Sequence, residues 1–485
     1  MTKSAASYYK TAALSTYQED WMTSPRRHFP GWLLLAFFLV TALPQANALP
    51  AFARKYGLRC SACHESWPML NYFGQKFKDN GYQLMNDRDS PIWQNPGYWP
   101  VTFRITPTWH RVSTGRNLVD SGGGTNNAET RIESSGFDLS GLDFHTGGTL
   151  EKNFSFYVLP SSDSTATFHF ETVMARLDNL FGSSWLNVKL GKFELDNLLS
   201  EKRILTLTGN GGVYQTYHFI PVGDNNIFGQ IGDNQLGLEY MGHSVDDRTR
   251  VSASLLSTSD GNVGLVTGAN SYTGYFTASQ AFDTGKLGVQ RIGMYAMIGE
   301  APITYRTTGG VVIPGSGLNN KEFSRVGFVG QFYFGQHFDL QVVTQHGSDN
   351  AWFGQGFGNA TDPNNGTPGN DLPNAGPGTV LPATARAPSW NGATFEAHYV
   401  YSPQLIFIGR FELERMSQQG TVGTPSTLGN ITTYTVGYRY NPFMNNRAGF
   451  AWHNEYNWLH QDGTGPLPGQ NINTSELLLG FDFDF

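Results

Sequence analysis

Two cysteines occur in 485 residues, three positions apart and with a histidine beside the second: Cys60-Ser61-Ala62-Cys63-His64. Thiols at this spacing can add to the two vinyl groups of a haem as thioethers, and a histidine fixed just after them can place its imidazole on the iron. C-x-x-C-H is the attachment signature of a c-type haem, so Cys60, Cys63 and His64 are expected to hold one covalently attached haem c. A dithiol oxidoreductase would carry its C-x-x-C in a βαβ unit, and none is visible around this pair. A zinc site would want more ligands nearby.

The second axial ligand is less constrained. Met69 lies too close to His64 for the chain to wrap easily round the ring. Met85 has the length to do so and is the preferred candidate. His110, His145, His169 and His218 lie further on. Methionine as second ligand would raise the reduction potential.

The compartment agrees with covalent haem. Arg26 and Arg27 precede the apolar run Gly31–Leu43, and Ala46-Asn47-Ala48 follows it. A basic start, a short apolar core and a small-x-small site describe a secretory signal peptide over residues 1–48, with Leu49 as the mature N-terminus. The run is shorter than the roughly 20 residues of a spanning helix. Met22 begins a signal of ordinary length and is an alternative start.

Residues 49–95 form the expected monohaem cytochrome c segment. Leu49–Asp89 has a helical pattern but is too short to bury a core alone. Haem would supply apolar surface, and another body must cover the rest. Ile92–Pro100, IWQNPGYWP, ends the helical pattern. Net charge is -7 with pI ≈ 5.9, which argues against a nucleic-acid partner. A mean hydropathy of -0.33 excludes a bundle of membrane helices.

From Val101 onward, within residues 96–485, the apolar period is two. Leu186, Val188 and Leu190 alternate with Asn187, Lys189 and Gly191; Tyr434, Val436, Tyr438 and Tyr440 alternate with Thr435, Gly437 and Arg439. About 16 such segments run from Val101–Val112 through Ser135–His145 to Leu477–Phe485. Every second connection is short, as at Gly242–Asp247 and Ser402–Gln404, and most others are long, as at Glu194–Gln230 and Gly347–Gly392. A sandwich has no reason to sort its loops this way. An outer-membrane barrel has short turns at one end and long loops at the other. The fold class expected for residues 96–485 is therefore an all-β transmembrane barrel of about 16 antiparallel strands. The small helical haem segment would plug its lumen from the periplasmic side. The alternating end Phe481-Asp482-Phe483-Asp484-Phe485 resembles a barrel-assembly signal.

Three further stretches carry open readings. Glu194–Gln230 contains Glu194, Asp196, Glu201, Lys202, Arg203 and His218. It is either a solvated loop or a constriction that packs on the haem segment or guides a cation. Gly354–Gly392 is polar and nearly uncharged, which would suit an acidic exterior. His453, Glu455 and His460 are either lumen and girdle residues or a transient iron site.

Leu49–Leu84, LPAFARKYGLRCSACHESWPMLNYFGQKFKDNGYQL, resembles the fused monohaem cytochrome c–porin outer-membrane iron(II) oxidases. The family pattern falls on Pro50, Phe52, Ala53, Arg54, Cys60, Cys63, His64, Pro68, Leu70, Phe73, Gly74, Phe77, Lys78, Gly81 and Tyr82. The barrel matches in length and texture only, and the polar loops look most like the acidophile branch. Arg54-Lys55 and Gly74-Gln75 stand where the family usually has Arg-Gln and Gly-Arg. The resemblance implies an iron(II):cytochrome c oxidoreductase that takes electrons from extracellular Fe(II) in the outer membrane. It would pass each electron to a periplasmic cytochrome c or copper protein. The rival readings are outward electron transfer to extracellular acceptors, a diffusion porin with a haem-bearing plug, and an adhesion barrel with a vestigial site.

Overall fold

A computed structural model describes residues 51–66, 69–84, 91–94, 100–120, 127–139, 142–162, 167–199, 216–217, 231–232, 234–257, 272–302, 304–306, 320–350, 371–373, 387, 389–418, 430–444, 449–462 and 471–484. The proposed signal peptide, Met85, Glu201, Lys202, Arg203, His218 and most of Gly354–Gly392 lie outside them.

The described residues begin with three short helices, α1 (Ala51–Tyr56), α2 (Cys60–Cys63) and α3 (Tyr72–Asp79). Between α2 and α3, a two-stranded ribbon pairs β1 (His64–Ser66) with β2 (Met69–Leu70). The barrel strands follow in order: β3 (Val101–Ile105), β4 (Thr108–Asp120), β5 (Asn127–Asp138), β6 (Asp143–Glu151), β7 (Phe154–Ser162), β8 (Phe168–Leu177) and β9 (Asn187–Glu194). Next come β10 (Asn234–His243), β11 (Thr249–Ser257), β12 (Tyr272–Asp283) and β13 (Val289–Pro302), with the short β14 (Thr304–Arg306). β15 (Asn320–Tyr333) and β16 (Phe338–Asp349) precede β17 (Asp371–Pro373), which pairs with β14 outside the wall. β18 (Ser389–Ser402), β19 (Leu405–Gln418), β20 (Ile431–Met444), β21 (Gly449–Gln461) and β22 (Ile472–Asp484) complete the ring.

The ring closes where β22 pairs with both β3 and β4. Pro107, which lacks an N–H for the ladder, separates β3 from β4, and they share one position in the wall. β5 and β6 likewise form one broken position, paired with β4 and β3 respectively. The result is a closed antiparallel barrel of 16 strands. The expected segments Val101–Val112 and Ser135–His145 are thus each split in two. The proline explains the first break, and the second follows its broken neighbour.

The wall is inside-out relative to a soluble protein. Glu396, Glu412, Arg410, Arg439, His453 and Asp482 are buried and face inward. Leu190, Phe276, Phe328, Val436, Trp458 and Leu479 alternate with such positions and stand exposed outside. Such a face belongs against lipid. Closure leaves no sheet edge unpaired there, and backbone groups in hydrocarbon must all be satisfied. No described helix is long and apolar enough to cross a membrane. This is a membrane barrel of the outer-membrane type.

The N-terminal segment bonds to inward-facing barrel side chains near the short turns. Tyr72 Oη donates to the carbonyl of Asp246 in the β10–β11 turn at 2.8 Å. Trp93 Nε1 donates to the Leu150 carbonyl at 3.0 Å. Helix α3 ends in a Schellman arrangement: Tyr82 N–H reaches Phe77 O at 3.0 Å and Gly81 N–H reaches Lys78 O at 3.1 Å. Arg176 of β8 caps this end, donating to the carbonyls of Lys78 and Asp79. A cation here also meets the negative end of the helix dipole. Arg250 of β11 pairs with the Asp79 carboxylate at 2.6 Å, and Lys78 pairs with Glu194 at 2.7 Å.

Residues 195–199 and 216–217, the described parts of the β9–β10 connection used here, bond to inward-facing side chains of the wall. Asp196 pairs with Arg250 at 3.1 Å, and Thr216 Oγ1 meets Thr394 Oγ1 of β18 at 2.8 Å. Leu195, Leu199 and Tyr217 join one apolar cluster with Phe77 and Tyr82. Of the two readings of Glu194–Gln230, the described residues fit a constriction packed on the N-terminal segment.

Asp247, fully buried in the β10–β11 turn, gives this docking a pH dependence. Arg250, Arg291 and His243 surround it at 3.6–3.8 Å. Burial and then the charge of Asp79 nevertheless push its carboxyl up to about 6. The folded value lies above the unfolded value of about 3.9, so the folded form holds the extra proton. Its contribution therefore grows as pH falls through about 6 and is complete below about 4. Asp247→Asn, which keeps the left-handed backbone readily, should slow protease cleavage of residues 51–84 at pH 7. It should also flatten the dependence between pH 6 and pH 4. Faster cleavage of the variant across this range would contradict the assignment.

Candidate functional site

Local bonds set the geometry around the C-x-x-C-H motif. The N–H of His64 bonds back to Cys60 O, closing the turn that presents both cysteines. His64 then enters the ribbon opposite Leu70. Asn71 caps α3 by accepting from Gly74 N–H at 2.9 Å. Its own N–H donates to Cys63 O at 2.9 Å and its side-chain amide to Ala62 O at 3.1 Å. A Cβ on Gly74 would overlap the Cys63 carbonyl, so only glycine lets α3 lie this close to the motif. Gly81 has φ +71°, and a Cβ there would strike the Asp178 carboxylate. Phe52 stacks on Tyr82 with centroids 4.7 Å apart, and Phe77 meets Tyr56 edge-on at 5.3 Å. Lys55 anchors α1 to Thr149 of β6 at 2.9 Å.

Cys60, Cys63 and His64 line one cavity of about 300 Å³. Phe52, Tyr56, Leu58, Leu70 and Phe77 line it from the segment. Tyr157, Leu159, Met174 and Phe193 line it from the barrel wall. Arg104, Asp143, Asp482 and Asp484 form a polar end, where Arg104 pairs with Asp143 at 3.4 Å and Asp482 at 3.5 Å. The cavity is large enough to hold a small molecule, and its walls are mostly apolar away from the polar end.

No disulfide joins Cys60 to Cys63. Burial pushes both thiols up to about 11, and for Cys60 the charge of Asp484 adds to it. Reactive dithiols have lowered values instead, so the environment disfavours thiolate chemistry. An apolar cavity bordered by two cysteines and a histidine fits a covalent haem: the apolar walls suit the macrocycle, and Arg59, Lys78, Arg104 and Lys189 are cations of its lining.

The structure sorts the other candidate residues. Met69 is 1% exposed, packs on Ile406 and Ile408, and accepts from Gln341 Nε2 at 3.4 Å, away from the cavity. Met85 and His218 lie outside the described residues. His110 contacts Thr108 at 2.8 Å and Glu476 at 3.3 Å, and His169 is exposed; neither lines the cavity. His145 does line it. His453 is buried beside Asp482 at 3.4 Å, whereas His460 bonds to Asn473 at 2.7 Å near the long-loop end. Sequence reasoning did not single out Met174, Arg104 or Tyr157 as cavity residues. Their inward strand parity was readable, but their height along the barrel relative to the motif was not.

No protein-family model matches the chain, and no curated protein does. Among solved structures, the outer membrane channel DcaP of Acinetobacter baumannii is similar at 10% identity, over 79% of this chain and 96% of that one, with a TM-score of 0.49. OmpT of Vibrio cholerae is similar at 10% identity over 79% and 97% of the two chains, with a TM-score of 0.44. Pseudomonas putida OprB is similar at 11% identity over 79% and 94%, also with a TM-score of 0.44.

Two glycine substitutions separate steric from backbone cost. Gly81→Ala pays for a left-handed backbone, about 1–2 kcal/mol, and for the collision with Asp178. Gly57→Ala, at φ +67° with open space around it, pays only the first. Thiol alkylation of Cys60 and Cys63 in the haem-free chain should accelerate by about 5- to 30-fold for Gly57→Ala, the backbone cost alone, and further than that for Gly81→Ala. Equal rates in the two variants would contradict the docking described.

Proposed function

We propose that this chain is an outer-membrane c-type cytochrome. In this reading it takes single electrons from extracellular Fe(II) onto a haem held by Cys60, Cys63 and His64. It then delivers them to a soluble periplasmic carrier. The observation that carries the reading is the convergence of both cysteines and His64 on one apolar cavity shared between segment and barrel wall. When bound, the haem would supply reversible one-electron exchange at its iron. The protein's residues would hold and shield it: the thiols tether it, His64 ligates one face, and the aromatic side chains exclude water. Fe(II) as the donor is supported by the resemblance of Leu49–Leu84 to the iron-oxidising cytochrome–porins.

In barrels of this type the short turns face the periplasm. The segment is bonded to short turns, so it would act as a plug at the periplasmic mouth. Its cavity reaches Asn441, Gly449 and Asp484, which flank the short β20–β21 turn and the barrel end. A carrier protein docking there would approach the haem edge directly. Fe(II) and its electron must come through the lumen from the long-loop end.

A diffusion porin with a haem-bearing plug is the second reading, favoured by Asp196 and Thr216, which follow β9 and bond to the inner wall at Arg250 and Thr394. It predicts solute conductance in planar bilayers and no rapid reduction by iron. The iron reading predicts that oxidised protein, mixed anaerobically with Fe(II), shows haem reduction at rates that rise with Fe(II) concentration. His64→Ala should lose at least tenfold of that rate while the barrel still assembles. An unchanged rate in the variant, or no Fe(II)-driven reduction of wild type that dithionite reduces, would contradict the proposal.

A further inference from the structure

We infer that the second axial ligand of the haem comes from the barrel wall and is His145 on β6. The inference rests on the haem reading above. His64 and His145 are the only histidines among the described residues that line the cavity. One comes from the N-terminal segment and the other from an inward position of the wall. A coordinating imidazole usually has its second nitrogen held by a hydrogen-bond partner, which fixes ring orientation. His145 meets this condition: its Nδ1 is hydrogen-bonded to Tyr157 Oη at 2.5 Å. Its Nε2 lies 4.0 Å from Asp143 Oδ2, and that carboxylate is engaged by Ser161 at 2.5 Å and Arg104 at 3.4 Å.

The other described histidines are committed elsewhere. His398 bridges Asp339 at 2.9 Å and Glu396 at 2.7 Å, and His243 sits beside Asp247 at 3.7 Å. Met174 is the competing ligand on the wall. It also borders the small space below the cavity, beside Lys78, Asp79 and Arg176, and so packs between cavity and ion-pair anchor.

Ligation by His145 makes the iron a cross-link between segment and barrel. Two imidazoles also hold the potential below the value that methionine ligation would give. The driving force for Fe(II) oxidation would then depend on how strongly the ferric product is stabilised outside.

The test uses the full-length haem-loaded protein in detergent, by electron paramagnetic resonance and near-infrared magnetic circular dichroism of the oxidised form. Wild type should show a low-spin two-imidazole signature. His145→Ala should turn high-spin and return to low-spin on adding imidazole. His145→Met should gain a sulfur-to-iron charge-transfer band and a higher potential. A sulfur-to-iron band in wild type, lost in Met174→Leu or Met85→Leu, overturns the inference and leaves the haem reading intact. So does an unchanged low-spin signal in His145→Ala. If His145→Ala fails to assemble, the wild-type spectrum alone decides between two imidazoles and imidazole with thioether. A wild-type chain without covalent haem would instead sink the haem reading itself.

Discussion

The ion-paired end of helix α3 is the contact on which the rest depends. Arg176 caps the last carbonyls of the helix, and Arg250 holds the Asp79 carboxylate. Residues 49–95 are too few to bury a core of their own. These bonds fix the end of α3 that carries the segment's share of the cavity lining, Phe77, Lys78 and Tyr82 among it, against the wall. The arginines are buried, so losing one partner would strand a charge, at a cost of about 3–5 kcal/mol. The pairing therefore enforces one docked position more than it adds net stability.

The barrel makes that anchoring possible because its interior is polar. A soluble sandwich would fill the same positions with apolar side chains. Here charged groups face inward while Leu190, Phe328 and Val436 face out. The inward carboxylates pair with inward cations, as Glu239 does with Lys189 at 2.5 Å and Asp482 with Arg439 at 2.7 Å. Into this polar surround the segment brings an apolar island. Phe77, Tyr82, Phe193 and Leu195 form one cluster. Its aromatic side chains continue into the cavity lining, so a low-polarity pocket sits inside an otherwise charged lumen.

Much of this was legible in the sequence because strand parity is a local signal. Apolar alternation and the sorting of short and long connections pointed to a closed barrel of the right size. The breaks at Pro107 and between β5 and β6 blurred only strand boundaries. The motif itself was also legible, as were the glycines: Gly74 and Gly81 belong to the pattern behind the resemblance, and the contacts with Cys63 and Asp178 show why a side chain would not fit. The docking partners were not legible. Arg176, Arg250 and Glu194 lie about 100 to 170 residues from the helix they hold, and nothing local marks them. Met69 looked close enough to be weighed as a ligand, yet its thioether faces Gln341 on another wall. His145 was one histidine among four. Only the register of β6 against β3 and β7 brings it to the cavity with Tyr157 beside it.

Covalent attachment of haem to Cys60 and Cys63 is the central claim, and intact mass is its most direct measure. The chain should be purified from the outer membrane of a host able to mature c-type cytochromes, under conditions that strip non-covalent ligands. The account predicts a single species carrying one haem, reduced to the bare chain mass in Cys60→Ser/Cys63→Ser. A wild-type chain of bare mass, with two titratable thiols or an internal disulfide, would contradict it.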